Sequence, residues 1–165
     1  MEFTVDVKLD LSGFKPIERT CEVLNSTSAI SGVIEADAET LTAARLNEYG
    51  GKGVYTDGKY AGEEVDIPPR SFVRAPAEIH GKEIGKKGAS VLQKGFTEGN
   101  ALGAIELMGE EVERVQKAAL ENNGSGIPNW LPHNEQRTIE TKGFDRPLWS
   151  RRGETFPISH KVVTK

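Results

Sequence analysis

A chain of 165 residues is the size of one ordinary domain, and one core is expected in preference to two. Its net charge of −4 gives the molecule as a whole no electrostatic reason to seek DNA or an acidic membrane. Cys21 is the only cysteine, which excludes an intrachain disulfide and a zinc cluster built from thiolates, and no apolar run approaches the ~20 residues that span a bilayer.

The opening run Met1-Glu2-Phe3-Thr4-Val5-Asp6 lacks the basic start and apolar stretch of a signal peptide, so a cytoplasmic setting is expected. Residues 2–9 alternate, with Phe3, Val5 and Val7 on one side, and predict a half-buried strand. Phe14, Ile17, Cys21 and Leu24 then draw a stripe along a short helix, with Ser12 as its cap and Pro16 in its first turn. Cys21 falls on that stripe and is expected to be a small buried hydrophobe. Residues 29–35 read as a second strand, and a helix built on Leu41, Ala44 and Arg45 follows from about Glu39 to Tyr49. Gly50 and Gly51 end it in the manner of a left-handed cap. Residues 50–67 are expected to be a long loop, with Asp57-Gly58 between Tyr55 and Tyr60 as a possible hairpin turn and Pro68-Pro69 as its rigid close.

Two long helices are predicted next. The first spans Pro76 to Phe96 with Ile79, Ile84, Val91 and Leu92 inward, and Gly81, Gly85 and Gly88 each cost it about 1 kcal/mol relative to alanine while allowing close packing on a neighbour. The second, 101–122, turns Leu102, Ile105, Met108, Val112, Val115 and Ala119 inward, carries Glu110 to Arg114 on its outer face, and stops at Asn123-Gly124. From 123 to 157 the chain reads as an irregular basic arm, interrupted by Pro128, Pro132, Pro147 and Pro157. Ile158 to Val163 alternates again as a closing strand. The expected class is a single α+β domain over 1–165, a small mostly antiparallel sheet packed by two longer helices with extended loops.

Enzyme chemistry finds no signature. His80, His133 and His160 lie far apart and none has a partner at metal-ligand spacing, so each is expected to be an ordinary side chain. Gly50-Gly51-Lys52-Gly53 and Gly81-Lys82-Glu83-Ile84-Gly85-Lys86-Lys87 lack the context and spacing of a phosphate loop. Cys21 has no evident base, and consecutive carboxylates such as Glu110, Glu111 and Glu113 fan around a helix instead of converging. No catalytic, cofactor or metal residue is therefore assigned. Charge is unevenly spread, however: from Arg137 onward Arg137, Lys142, Arg146, Arg151, Arg152, Lys161 and Lys165 outnumber Glu140, Asp145 and Glu154. The basic stretch reads either as a solvated surface or as a partner-binding arm. Trp149 among Arg146, Arg151 and Arg152 is a combination that grips a phosphate backbone, and it is also the composition of protein interfaces; the acidic total favours the interface.

Three segments in order carry a resemblance. Leu41-Thr42-Ala43-Ala44-Arg45-Leu46-Asn47-Glu48-Tyr49-Gly50 resembles an alanine-rich helix closed by N-E-Y/F-G; Ile67-Pro68-Pro69-Arg70-Ser71-Phe72-Val73-Arg74 is similar to I-P-x-R-P-F-x-R; and Thr138-Ile139-Glu140-Thr141-Lys142-Gly143-Phe144-Asp145-Arg146-Pro147-Leu148 resembles T-I-x-x-K-G-x-D-x-P-L. Together they look like the neck, tail-completion and minor tail proteins of tailed bacteriophages. Ser71 departs from the second motif, residues 149–154 depart from the I-D-T/S-G-x-L that usually follows the third, and the insertion between Gly50 and Ile67 is longer than that family's loop. The resemblance implies a non-catalytic virion protein, assembled in the host bacterial cytoplasm into a ring that is often six-fold. Such a ring joins the tail tube to the portal-side connector, or head-tail adaptor, and lets DNA pass through its channel without sequence-specific binding. It also implies that Glu48, Tyr49, Gly50, Pro68, Arg70, Phe72, Arg74, Lys142, Gly143, Pro147 and Leu148 are the positions of interest. Arg70 and Phe72 are expected to fix the long loop against the helices. A ring needs one patch meeting a different patch on the next copy, and Arg146, Trp149, Arg151 and Arg152 are the expected contact to a neighbouring subunit or ring. The competing readings are a DNA- or RNA-binding protein using the same basic arm, and a small host-directed enzyme or inhibitor.

Overall fold

A computed structural model describes residues 14–56, 58–124, 126–127, 130, 133–143, 145–148 and 154–165. The strand predicted over 2–9 and the Ser12 cap lie outside these residues. The elements run α1 (Lys15–Ser26), β1 (Thr27–Val33), α2 (Ala38–Tyr49), β2 (Gly51–Val54), β3 (Glu64–Ile67), α3 (Arg74–Ile79), α4 (Gly81–Glu98), α5 (Ala101–Glu121), α6 (Gln136–Lys142) and β4 (Ile158–Thr164). The class is α+β, as the alternation of patterns predicts: among the described residues six α-helices accompany two small antiparallel sheets, β1 with β4 and β2 with β3.

Helix α5 is the longest element and lies across the β1–β4 sheet. Its buried face is made of Ala101, Ala104, Ile105, Gly109, Val115, Gln116, Ala119 and Leu120. That face is rotated from the predicted one. Leu102 is exposed, and Met108 and Val112 are half-buried. The cause is separation: a helix drawn tight against a sheet selects small residues at the contact, and a search for large apolar side chains passes over them. Gly109 is the closest point, where a Cβ would lie 2.6 Å from the His160 ring on β4 and 3.2 Å from the Ala29 Cβ on β1. Gln116, 2% exposed, completes the seam. It accepts from the Ser31 hydroxyl at 2.7 Å and donates to the Val73 carbonyl at 3.0 Å, tying the sheet to the segment ahead of α3. Helix α5 ends in a Schellman arrangement: Asn123 takes the left-handed position (φ 50°), its N–H bonds the Leu120 carbonyl, and the Gly124 N–H reaches Ala119.

Several elements differ from their predictions for identifiable reasons. The helix expected over 76–96 begins at Arg74 and breaks at His80, whose carbonyl accepts from both Glu83 and Ile84. Pro76 sits in the first turn of α3, where no amide donor is needed, and Gly81 weakens continuation beyond it. Gly88 does permit close packing, since its missing Cβ leaves room for Met108 of α5, whereas Gly81 and Gly85 face open space. Strands β2 and β3 form a hairpin, with Gly51 paired to Ile67 and Val54 to Glu64, and its connection contains a 3-10 turn at Gly58–Tyr60; Asp57 of the expected Asp57-Gly58 turn lies outside the described residues. Gly50 is not a left-handed cap. Its φ of 75° with ψ of 169° launches β2 directly from α2. The stretch read as an irregular arm contains α6, closed by Gly143 at φ 83°; Ile139 is its only apolar residue, so no period announces it.

Helix α1 corrects the expectation for Cys21, which is exposed, as are Phe14 and Ile17 on the same stripe. The buried position is Thr20, 1% exposed, about 100° round the helix from Cys21. Periodicity reports that a stripe exists, not what covers it.

The close approach at Gly109 generates a paired prediction. Gly109→Ala forces α5 off the sheet and costs about 1–3 kcal/mol, whereas Gly85→Ala, in open helix, adds about 0.4–1 kcal/mol. Urea unfolding of the two variants should move the midpoint in opposite directions.

Candidate functional site: a charged cleft beside helix α2

The last turn of α2 turns Glu48 inward, leaving it 5% exposed. Its carboxylate accepts from the Ser71 hydroxyl at 2.6 Å, the Val73 N–H at 2.9 Å, the Arg74 N–H at 3.2 Å and the Arg74 guanidinium at 3.1 Å. One buried anion thus binds the first amides of α3 and a side-chain cation together. The Arg74 guanidinium also stacks over the Tyr49 ring at 4.9 Å. Ser71, the departure from the second motif, supplies the shortest of these bonds, and its hydroxyl accepts in turn from the Ala75 N–H. Gly50 has to be glycine for two reasons. Its φ is positive, and a Cβ would press within 2.9 Å of Pro69 and 3.1 Å of the Ile67 carbonyl.

Arg70 lies one step from this node. Its N–H donates to the Asn47 carbonyl at 2.6 Å, and its guanidinium is buried and donates to the His133 carbonyl at 3.1 Å. Burial pushes the Arg70 guanidinium down, with Asp145 opposing. Lys142, at the end of α6, is likewise pushed below the ordinary lysine value by burial and then by Arg70, again against Asp145. Asp145 accepts from the Asn134 N–H at 2.7 Å and from His133 at 2.6 Å, and those bonds hold it below the usual aspartate value. Phe72, fully buried, stacks on Phe156 at 5.1 Å within a cluster that includes Ala44, Leu120, Leu148 and Ile158.

The three segments with a family resemblance therefore meet in one place. Glu48, Gly50, Pro68, Arg70, Phe72 and Arg74 pack around the junction of α2 and α3, while Lys142, Pro147 and Leu148 close it from the C-terminal side. The Arg70 N–H ties residues 68–74 to α2, and Phe72 lies in the core cluster. Gly143 serves the cap of α6 and Tyr49 stays on the surface. Arg146 is exposed; Trp149, Arg151 and Arg152 lie outside the described residues.

Between α2, the hairpin, α6 and residues 154–157 opens a cleft of about 810 Å³. Val65, Ile67, Leu148 and Phe156 give it apolar walls; Arg70 and Lys142 line it beside Glu35, Asp37, Glu39, Asp66, Glu135 and Glu154. A second hollow of about 620 Å³ adjoins it, sharing Asp66, Ile67, Pro68 and Arg70. Leu148 and Glu154, the described residues on either side of 149–153, both line the larger cleft. Among the described residues no group of three histidine, cysteine, aspartate or glutamate side chains is placed to hold a metal ion.

Sequence reasoning missed Asp145, Asn134 and the burial of Lys142, because they act through contacts distant in sequence. His160 on β4 is half-buried. Nδ1 meets Glu113 and Nε2 lies 3.2 Å from Glu106, so α5 offers carboxylates to both ring nitrogens. Glu113 is shared with Lys117, and Ser31 faces His160 across the strand pair. Glu113 is the main cause that raises the imidazole above its ordinary value, partial burial opposes, and Glu106 adds to the rise. With this geometry in view, comparison with known proteins yields no match: no protein family, curated protein or solved structure aligns with the chain.

Two predictions follow from these contacts. Glu48→Ala strands the Val73 and Arg74 amides and is expected to cost about 3 kcal/mol by urea unfolding, a larger loss than for any exposed glutamate. For His160 the folded value is raised, so its stabilisation is complete below the ordinary value of 6.5 and is lost as pH rises through the folded one. His160→Gln should therefore destabilise more at about pH 5.5 than at about pH 9, and equal losses at both would contradict the pairing with Glu113 and Glu106.

Proposed function

We propose that the chain is a non-catalytic structural protein of a tailed-bacteriophage virion, one subunit of a ring at the head–tail junction that joins the tail tube to the head connector. The observation that carries this reading is the convergence of the three resembling segments. Taken singly they are short and degenerate; in space they form one packed node around Glu48, Arg70 and Leu148.

The surface is compatible with assembly. Leu41, Tyr49, Val54, Ile79, Leu102 and Leu107 are large apolar or aromatic side chains left exposed on the isolated chain. Among the described residues no helix is long and apolar enough to cross a membrane. Leu148 and Glu154, the described residues that flank 149–153, line the cleft.

The test is the mass of the purified chain in solution by light scattering across a concentration range, with negative-stain images, alone and with the tail-tube and connector proteins. Annular particles or binding to either protein is expected. Arg151→Ala with Arg152→Ala should weaken assembly while leaving the unfolding midpoint unchanged. A monomer that binds neither protein and instead holds DNA with steep salt dependence would replace this reading with nucleic-acid binding.

A further inference from the structure

Helix α2 carries two unlike surfaces. Residues turn by about 100° each along a helix, so Glu39, Thr40, Ala43 and Asn47 share one side and Leu41, Arg45 and Tyr49 share another about 180° away. The first set lines the cleft. The second is open: Leu41 is 42% exposed and Tyr49 60%, with Arg45 exposed between them. Ala44 and Glu48 fill the angle between the two and anchor the helix.

The open face is a cationic and aromatic projection. Tyr49 is held by the Arg74 guanidinium stacked on its ring, and Arg74 is held by the buried Glu48 carboxylate, so the pair is pre-positioned and loses little freedom on contact. Tyrosine and arginine are the residue types that carry binding energy at interfaces. The opposite face opens on a concavity of the opposite character. Among the described residues its lining carries six carboxylates against two cations around apolar walls. Glu35 is paired with Lys161, and Asp145 faces Arg70 and Lys142. The rim carboxylates nearest α2 and the hairpin, Glu39 and Asp66, are exposed to solvent.

We propose that these two surfaces bind each other between copies: the Leu41, Arg45, Tyr49 and Arg74 face of one chain enters the acidic cleft beside α2 of the next. The inference rests on the ring reading above and names the contact that builds the ring. Because the patches differ and lie on opposite sides of one rigid helix, each copy that docks presents a fresh cleft or a fresh face, which is the condition for a heterologous assembly. The occupant of the cleft is a second copy of this chain, chosen by charge and by the match between an aromatic projection and an apolar-walled hollow.

The experiment uses two variants of the full chain. A face variant carries Arg45→Glu and Tyr49→Ala; a cleft variant carries Asp66→Lys and Glu135→Lys. Each alone should associate about tenfold more weakly or worse, remaining monomeric where the wild type assembles. Mixed in equal amounts, the intact cleft of the first and the intact face of the second should give one-to-one pairs that grow no further. The pairing also shows that both variants are folded. Assembly of either variant as readily as the wild type overturns the inference and leaves the ring reading standing. So does a failure of the mixture to pair when both variants unfold at the wild-type midpoint. If the cleft variant assembles normally but loses the tail-tube or connector protein, the cleft belongs to that partner and the pairing of copies is overturned. A wild type that stays monomeric with and without those proteins overturns both readings.

Discussion

Burying a carboxylate in a protein interior is strongly unfavourable unless its lone pairs are taken, and Glu48 meets that condition with four hydrogen bonds from the segment Ser71–Arg74. The arrangement does three things together. It starts α3 by accepting its first free amides, it fixes the end of α2, and it holds Arg74 over Tyr49. Everything downstream depends on where residues 68–74 run, because Arg70 and Phe72 in that stretch carry the contacts to the C-terminal half. Remove the anion and the hairpin, α2 and α3 lose their common reference point.

Around that point the chain is organised as two shells of different chemistry. The α4–α5 pair and the β1–β4 sheet pack through small residues, Gly88 against Met108 and Gly109 against His160 and Ala29, with Gln116 as the polar bridge. The α2–hairpin–α6 region packs through charge, with Arg70, Lys142, Asp145 and His133 at close quarters. The first packs closely through small residues around the Ser31–Gln116 bond and the contacts of His160 with Glu113 and Glu106. The second is concave and electrostatically graded, and it is there that a partner finds a shaped surface.

The fold class was legible because α5 and β4 have clear periods, and because glycine after α2 and Asn123-Gly124 after α5 mark where those helices end. The candidate site was half legible. The resembling segments named Glu48, Arg70, Phe72 and Lys142, but a linear pattern does not say that Glu48 is buried or that Arg70 and Lys142 share one carboxylate. Helix α6 and the β2–β3 hairpin were opaque for a simpler reason. Four-residue strands and a seven-residue helix with one apolar side chain hold no more than two periods, and their stability comes from the partners they meet. Tyr55 reaches Thr138 and Tyr60 reaches Glu140, contacts visible only once the chain is folded. Cys21 shows the reverse error, a clear stripe whose covering partner the pattern cannot name.

The pairing of β1 with β4 has a consequence for the order of events in folding. Thr27 meets Thr164 and Val33 meets Ile158, so the strand that follows α1 waits for nearly the whole remaining chain before its backbone is satisfied on that side. Closing so large a loop is entropically slow, and it rewards the chain only after α5 has already presented its Gly109 groove to both strands. During synthesis α2, the hairpin and the α4–α5 pair are all available to form from local contacts while β1 still lacks its mate. The last strand is therefore the clasp of the molecule. Until it pairs, that side of β1 is an unsatisfied strand edge, the kind of surface on which one unfinished chain can capture another.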